Sequence, residues 1–266
     1  MKISINGVLT EAHTARIDPA DRGFTLGDGI FETIAVRKNA VRHLAAHLAR
    51  LRRGADFLGI PLPGDDQRMA EMIGATITAN ALTEAVVRVT LTRGPGARGI
   101  VLPPKPMPTL VITAAPLPPP AAPARVIIAS VTRRNEHSPL CGIKHLNYLD
   151  NILARQEAEK ARADDAILLN TACRVTESTV ANVFVLVDGF MLTPPLEDGA
   201  LPGIMRAEVI KLARAEERTI TPEMLKRSSE VFLTNSLGVR PVTHIDGQAI
   251  GDGEPGLITQ LLETRL

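Results

Sequence analysis

Apolar and polar residues alternate over several short stretches in the first half of the chain, with the two-residue period of β-strands that bury one face. This alternation predicts strands in ISINGVL, GIFETIAVR, AVVRVTLTR and TLVITAAPL. Two other stretches have the three-to-four-residue spacing of amphipathic helices, one from about Leu44 to Leu58 and one from about Arg68 to Asn80. The first half therefore combines strands with two helices.

The proline-rich stretch PLPPPAAPAR interrupts both patterns, because proline continues neither a sheet nor a helix. It predicts an N-terminal α/β lobe of residues 1–116, a stiff linker of residues 117–123 and a C-terminal lobe of residues 124–266. The second half is predicted to contain strands in RVIIASV, DAILLN, RVTES, ANVFVLVDG and EVFLTNS, and helices ending near Arg162, following LPG and covering GLITQLLETRL. Because strands and helices alternate without a strict βαβ period, we expect an α+β fold with two lobes.

Composition narrows the class of protein. Of the 266 residues, 45% are hydrophobic and 22% are charged, as in ordinary globular proteins, and the net charge of +1 gives no reason to expect binding to nucleic acid or an anionic membrane. No apolar run approaches the roughly 20 residues that cross a bilayer. The start of the chain is strand-like rather than a signal peptide, and Cys141 and Cys173 form no CxxC motif. These features favour a cytoplasmic protein.

Lysine is rare in this chain, with seven among the 30 basic residues. Six of the seven lie at the terminus, in turns or loops, or in charged helical stretches. Lys144 differs, because it follows the small apolar run LCGI and precedes an amphipathic helix. A lysine held in a pocket of low charge can lose its proton and act as a nucleophile or base. Lys144 is therefore the first candidate for a catalytic residue.

The sequence GPGARG at 94–99 matches the dinucleotide-binding pattern G-x-G-x-x-G and follows a predicted strand. That site also needs a helix to begin there, and the prolines of IVLPPKPMP exclude it. The alternatives are a substrate-facing loop, in which Arg98 binds a carboxylate, and a plain surface turn.

His43 and His47 in HLAAH lie four residues apart on one predicted helix, but the motif lacks the glutamate of a zinc-protease helix and a third ligand. We therefore predict two helix-surface histidines and no metal site.

Three further stretches offer groups for an anionic ligand. The sequence LPGIMR predicts a helix that begins after Gly203, where backbone amides and the helix dipole attract phosphate. The sequence TNSLG at 234–238 could add the hydroxyl of Ser236, or it could be a simple turn. Glu177 in RVTES either points into a cleft or lies in a solvated turn, and composition alone favours the solvated turn. An amine, a phosphate site and a carboxylate are together the groups that bind pyridoxal 5′-phosphate.

These stretches resemble the fold-type IV (class IV) pyridoxal-phosphate enzymes, which include branched-chain aminotransferases, D-amino-acid aminotransferases and aminodeoxychorismate lyases. The resemblance covers nearly the whole chain, in the family's order and spacing. The matching motifs are DRGFTLGDGIFETIAV, HLARL, TRGPGARG, GIKHLNYLDNILAR, TESTVANVF, LPGIMR and TNSLGVRPV. It implies a two-lobed enzyme with a small N-terminal α/β lobe and a larger C-terminal β-barrel-like lobe. It also implies a homodimer, with each active site between the lobes and touched by the partner chain.

The resemblance assigns roles to individual residues. Lys144 matches the lysine that binds the cofactor covalently and moves the substrate proton, and Glu177 matches the carboxylate that faces the pyridine nitrogen. The positions that match phosphate-binding residues are Arg50, Ile204, Met205, Ser236 and Leu237. The positions that match or lie near the substrate pocket are Phe31, Arg98 and Tyr148.

The motifs do not separate the members of the family, because the lyase and the aminotransferases share the first half of their mechanism. IKHLN, GIMR and the GARG loop look most like aminodeoxychorismate lyase, in which Thr33 would be an extra proton donor. Glu32 and Tyr148 look more like a transaminase. For a D-amino-acid aminotransferase, Arg98 fits, whereas Ile100 and Phe31 replace a histidine and a tyrosine. The sequence alone favours the lyase first and an aminotransferase second.

Overall fold

The computed structural model describes residues 1–266 and divides them into two compact units. The first unit contains Met1–Pro119 and Lys144–Asn147, and the second contains Pro120–Ile143 and Tyr148–Leu266. No strand or helix occurs in residues 117–123, the predicted linker. The predicted boundaries differ for Lys144, which was expected in the C-terminal lobe. The difference arises because two backbone hydrogen bonds join the 144–147 segment to the first unit, one from Phe31 N–H to the Lys144 oxygen and one from Leu146 N–H to the Gly29 oxygen.

The first unit is an antiparallel six-stranded sheet with three helices. Its strands are β1 (Lys2–Ile5), β2 (Val8–Glu11), β3 (Gly29–Arg37), β4 (Ala40–Val41), β5 (Ala85–Thr92) and β6 (Thr109–Pro116). Its helices are α1 (Arg22–Leu26), α2 (Leu44–Leu58) and α3 (Asp66–Ala79). The strand order is β2-β1-β6-β5-β3-β4. Helix α2 has the predicted bounds, and α3 begins two residues before its predicted start.

The stretch ISINGVL is a hairpin rather than the single predicted strand. Strands β1 and β2 pair in register, with Ile5 opposite Val8 across a two-residue turn. Asn6 and Gly7 have φ values of 51° and 85°, which the twist of a two-residue hairpin requires. Asn-Gly is the residue pair that tolerates this conformation best, so the sequence carried the turn signal inside an uninterrupted alternation.

The second unit is built on a closed, mostly antiparallel sheet. Its strands are β7 (Ala124–Ile128), β8 (Asp165–Leu169), β9 (Val175–Ser178), β10 (Asn182–Val187), β11 (Phe190–Thr193), β12 (Glu216–Glu217), β13 (Glu230–Asn235), β14 (Gly238–Ile245) and β15 (Gln248–Ala249). Its helices are α4 (Leu149–Lys160), α5 (Ile204–Ala213), α6 (Pro222–Lys226) and α7 (Leu257–Arg265). The order is β12-β11-β10-β13-β14-β7-β8-β9, and β9 returns to pair with β10 at Glu177 and Asn182. This pairing closes a β-barrel.

Branched apolar side chains from almost every barrel strand form one buried cluster. Its members include Val126, Ile167, Val183, Val231 and Ile245. On the other side of β10 and β13, Phe184 and Phe232 are cross-strand partners whose parallel rings lie 5.1 Å apart. These rings pack against α5 and α7. Each buried side chain of this size contributes about 1.5–3 kcal/mol of hydrophobic stabilisation, so the barrel is a rigid support for the loops at its ends. None of the seven helices is long and apolar enough to cross a membrane.

Candidate active site

Lys144 lies beside Phe31 in the first unit. The Phe31 N–H donates to the Lys144 carbonyl oxygen at 2.9 Å, which fixes the lysine backbone against β3. The Lys144 Nζ lies 4.6 Å from the centroid of the Phe31 ring. Phe31 is buried and Lys144 is half-buried, so the amine stands on an aromatic face rather than in open solvent. Two of the predicted site residues are therefore brought together.

Arg88 lies over the same ring and was not predicted as a site residue. Its guanidinium carbon is 3.8 Å from the Phe31 centroid. In the register of β3 and β5, Thr33 is opposite Arg88 and Phe31 is opposite Thr90. Because alternate residues of a strand share one face, Phe31, Thr33 and Arg88 lie on the same face of the sheet. No signal in the sequence identified Arg88, because its position over Phe31 depends on a register that the sequence did not reveal.

The opposite face of β3 carries a buried ionic cluster of Glu32, His47 and Arg50. Glu32 Oε1 accepts from Arg50 Nε at 2.7 Å, and Oε2 accepts from Arg50 Nη2 at 2.6 Å. His47 Nδ1 lies 2.7 Å from Oε2. The three residues are 1%, 2% and 6% exposed. The prediction of two helix-surface histidines is therefore wrong for His47, because a buried carboxylate on the neighbouring strand draws this side of α2 into the interior.

The charges in this cluster are set by mutual contact. Burial alone would raise the pKa of the Glu32 carboxyl, but the hydrogen bonds from Arg50 and His47 outweigh it and hold the pKa below its usual value. Arg50 is predicted to bind phosphate, and its guanidinium is held by Glu32 along the Nε–Nη2 edge. The phosphate role of Arg50 stays a prediction.

The 94–107 segment is an irregular loop, as the prolines predicted, and the buried Arg22 binds its middle. Arg22 Nη1 donates to the carbonyl oxygens of Gly99 at 3.0 Å and Val101 at 3.2 Å, and its Nε donates to Asp28 at 2.8 Å. Arg98, beside these anchored carbonyls, is exposed. Arg98, the predicted carboxylate-binding arginine, therefore lies at the surface of the first unit.

Glu177 is a buried residue of the second unit. It lies in β9 and is 6% exposed, so the solvated turn that composition favoured is wrong. Its Oε1 is 3.1 Å from Arg134 Nη2, and its Oε2 accepts from the Leu201 N–H at 2.9 Å. Burial would lower the pKa of Arg134, but attraction to Glu177 outweighs burial and raises it. The burial of Glu177 was not predicted from the short run RVTES, because nothing in that run shows that it forms a strand with a neighbouring strand on each side.

The start of α5 has no side-chain cap and no room for a side chain at the residue before the helix. Gly203 is the residue before the helix, and no side chain caps the first turn, which contains Ile204 and Met205. A Cβ atom at Gly203 would lie 2.0 Å from Asn182 Oδ1. Asn182 also donates through Nδ2 to the Leu201 oxygen at 2.9 Å, which ties this loop to the barrel. Uncapped amides at a helix start are suited to an anion.

The remaining predicted residues of the second unit lie in a turn and at a helix start. Ser236 and Leu237 connect β13 to β14, and the Leu237 N–H donates to Asn235 Oδ1 at 2.9 Å. Tyr148 immediately precedes α4 and is half-buried. No group of His, Cys, Asp and Glu side chains is arranged to hold a metal ion.

Each unit, taken by itself, contains groups of a kind that pyridoxal 5′-phosphate binds. In the first unit, Lys144 supplies an amine. In the second unit, Glu177 supplies a carboxylate that pairs with Arg134. Helix α5 of the second unit begins without a side-chain cap, at a glycine whose position has no room for a Cβ atom. The family model described as Amino-transferase class IV matches residues 29–245. The chain belongs to this family. It is accordingly a pyridoxal-phosphate-dependent enzyme with the fold of the family's other members.

Curated relatives of this class IV enzyme align over its whole length. A putative branched-chain-amino-acid aminotransferase of Methanocaldococcus jannaschii is 34% identical over 273 residues, covering 100% of this chain and 95% of the relative. A D-alanine aminotransferase of Bacillus licheniformis is 32% identical over 272 residues, covering 100% and 96%.

Solved structures agree with the fold. The branched-chain amino acid aminotransferase of Escherichia coli superposes with a TM-score of 0.93 at 26% identity, covering 99% of this chain and 92% of that one. A putative 4-amino-4-deoxychorismate lyase of Legionella pneumophila superposes with a TM-score of 0.86 at 32% identity, covering 94% of both chains.

Proposed function

We propose that this enzyme is an aminotransferase that moves the amino group of an amino acid to a 2-oxo acid. The observation that carries this proposal is that Lys144 and Arg88 both lie over the ring of Phe31. An amino acid presents its amino group and its carboxylate close together. A guanidinium is the preferred partner of a carboxylate, so binding at Arg88 brings the substrate carbon towards the amine of Lys144.

Each predicted residue then has a task. Pyridoxal phosphate supplies an electron sink that stabilises negative charge at the substrate carbon. Lys144 removes the proton from that carbon and returns a proton in the second half of the transfer. Glu177 provides the negative charge that keeps the ring nitrogen protonated, and Arg134 holds Glu177 in place. The phosphate contacts are assigned to Arg50, Ile204, Met205, Ser236 and Leu237. The substrate contacts are assigned to Phe31, Arg98 and Tyr148, in addition to Arg88.

The second candidate is aminodeoxychorismate lyase, which forms 4-aminobenzoate and pyruvate from 4-amino-4-deoxychorismate. Met205 in GIMR and the 32% identity to the putative lyase of Legionella pneumophila favour it, and Thr33 would be its extra proton donor. The two full-length relatives named as aminotransferases, together with Glu32 after Phe31, favour transamination instead. We therefore place the aminotransferase before the lyase, which reverses the order that the motifs gave.

A homodimer and a cytoplasmic location stay predictions, the first from the resemblance and the second from the composition. The dimer is tested by light scattering of the purified holoenzyme.

The experiment that tests the function follows the visible spectrum of the holoenzyme after separate additions of D-alanine, L-leucine and aminodeoxychorismate. Conversion of the cofactor to its amine form by one amino acid identifies a transaminase and the handedness of its substrate. Release of pyruvate and 4-aminobenzoate from aminodeoxychorismate, with no spectral change on either amino acid, identifies the lyase and contradicts our proposal.

A further inference from the structure

The cluster of Glu32, His47 and Arg50 has a form that stability alone does not explain. Burying a carboxylate and a guanidinium costs several kcal/mol of desolvation per ion, and apolar side chains of similar volume often stabilise a protein at least as well. What an apolar cluster cannot do is hold a positive charge in one orientation. The geometry of the cluster is therefore the feature to be explained.

The contacts form a chain that ends at Arg50. Both oxygens of Glu32 accept from Arg50, one from Nε and one from Nη2, so the carboxylate holds the guanidinium side-on. This pairing fixes the plane of the guanidinium and directs its other edge away from Glu32. His47 lies three residues before Arg50 on α2 and contacts Glu32 Oε2, which fixes the carboxylate in turn.

The exposed fractions of the three side chains differ slightly. Glu32 and His47 are 1% and 2% exposed, whereas Arg50 is 6% exposed. All three side chains are buried, and Arg50 is the most exposed of them.

We propose that Glu32 and His47 are positioning residues, which hold the guanidinium of Arg50 in the orientation that binds the phosphate of the cofactor. The inference rests on the proposed function only for the assignment of phosphate to Arg50, and it is the same for an aminotransferase and a lyase. A rotamer-rich arginine that is already fixed loses less entropy when phosphate binds, so the cluster raises the affinity for the phosphorylated cofactor.

The first test compares pyridoxal 5′-phosphate with pyridoxal, which lacks the phosphate. Dissociation constants for both are measured on wild type and on Glu32→Gln, which leaves the volume unchanged. We expect the dissociation constant of pyridoxal 5′-phosphate to rise about tenfold to a hundredfold, as for the loss of hydrogen bonds to a charged group, and that of pyridoxal to change less than about twofold. An equal weakening of both, or of neither, overturns the proposal.

The control for this comparison is Glu230→Gln. Glu230 is also a buried carboxylate, which accepts from the Thr259 N–H at the start of α7. We expect this variant to lose stability without distinguishing the two compounds. A phosphate-specific loss here as well would contradict our inference, because the effect would then follow from general destabilisation.

The second test uses His47, because its variants keep the pair of Glu32 and Arg50. His47→Asn retains an N–H donor near the position of Nδ1, whereas His47→Leu removes it. We expect His47→Leu to bind pyridoxal 5′-phosphate about five- to tenfold more weakly, with His47→Asn close to wild type. His43→Asn, at the residue immediately before α2, is the matched control and should have no effect. Equal affinities for the Leu and Asn variants overturn the role of His47.

The failure of this inference is distinct from the failure of the proposed function. The function fails when the wild-type holoenzyme turns over neither amino acid. The inference fails when the affinities of the variants for pyridoxal 5′-phosphate and pyridoxal change in parallel, whatever the wild-type enzyme does.

Discussion

Lys144 and Phe31 are joined twice, once through the backbone and once through their side chains. The Phe31 N–H donates to the Lys144 oxygen at 2.9 Å, and the Lys144 Nζ lies 4.6 Å from the centre of the Phe31 ring. The backbone contact fixes the position of the Lys144 main chain, from which the side chain extends. The ring provides an apolar surface with a negative face for the amine. Phe31 therefore controls both the position and the surroundings of the proposed base.

We expect Phe31→Leu to lower kcat about fivefold, because the ring no longer holds the amine of Lys144 in place for proton transfer. Phe31→Tyr keeps the ring and should retain most of the activity. The measurement is steady-state kinetics with the amino acid that the spectral test identifies. The matched control is Phe190→Leu, an exposed phenylalanine under Arg218, which should not change turnover. Equal activities for the Leu and Tyr variants would show that the ring has no part in positioning the amine.

Lys144→Ala removes the amine that carries the cofactor and moves the proton. We expect the visible absorbance that arises from the covalent link between Lys144 and the cofactor to disappear, and kcat to fall by at least about a thousandfold, the scale of a lost general base. Absorbance spectroscopy and turnover are measured on the same preparation. Lys160→Ala, at the exposed end of α4, is the control and should behave as wild type. Unchanged turnover of Lys144→Ala would falsify the assignment.

Glu177→Gln tests the carboxylate at the ring nitrogen. The variant keeps the size of the side chain and its contact with the Leu201 N–H, so we expect it to bind the cofactor. It loses the negative charge, and we expect kcat to fall by about a hundredfold or more, as for other groups that stabilise charge in the transition state. Rapid-mixing measurement of the first half of the transfer gives the rate. Glu136→Gln, a carboxylate that binds the Thr171 hydroxyl, is the control. Wild-type rates in Glu177→Gln would show that this carboxylate does not face the nitrogen.

The sequence predicted the elements with a strong period and the residues with unusual local context. Helix α2 was predicted within its bounds because its apolar spacing is regular, and Lys144 was found because a lysine between an apolar run and a helix is rare in this chain. The Glu32–His47 contact was missed because it joins a strand to a helix 15 residues away, and nothing in HLAAH shows which side of the helix is buried. Arg88 was missed because its neighbours depend on the register of β5. The closure of the barrel was predicted only from the resemblance, because a single residue pair, Glu177 and Asn182, joins β9 to β10.

Asp28 should make the first unit sensitive to acid. Burial alone would raise its pKa, but Arg93 and Arg22 outweigh burial and hold it below the ordinary value of 3.8. A carboxyl whose pKa is lowered on folding stabilises the protein fully above the ordinary pKa, and this stabilisation is lost as the pH falls through the lowered value. We therefore expect the free energy of unfolding to fall steeply below about pH 4. Urea unfolding at several pH values measures it.

Asp28→Asn separates this contribution from the others. At neutral pH we expect the variant to lose about 1–3 kcal/mol of stability, because two buried arginines lose a charged partner that is itself partly exposed, and to lose less on further acidification than wild type. Asp66→Asn is the control, since Asp66 pairs with Arg52 at the exposed surface and its loss should cost less than about 1 kcal/mol. A pH dependence identical to that of wild type in Asp28→Asn would exclude Asp28 as the source of the acid sensitivity.

Gly203→Ala tests the start of α5 as the phosphate site. The backbone of Gly203, with φ of −70° and ψ of 140°, suits any residue, so the obstacle is space rather than conformation. The added methyl group would lie 2.0 Å from Asn182 Oδ1, and relieving that overlap displaces either the Asn182 carboxamide or the helix start. We expect overpacking to cost about 1–3 kcal/mol of stability. We also expect the affinity for pyridoxal 5′-phosphate to fall at least about tenfold, because the amides of Ile204 and Met205 are displaced from their anion-binding position.

Equilibrium dialysis with pyridoxal 5′-phosphate measures the affinity, and pyridoxal again distinguishes phosphate contacts from general damage. Gly74→Ala is the matched control, because a Cβ atom there meets nothing within 4 Å and alanine stabilises the interior of α3 by about 1 kcal/mol relative to glycine. If Gly203→Ala binds both compounds as wild type does, the phosphate lies elsewhere, and the turn at Ser236 and Leu237 becomes the next site to vary. If the affinity for pyridoxal 5′-phosphate alone falls, the uncapped start of α5 and the space beside Gly203 are both required for the cofactor.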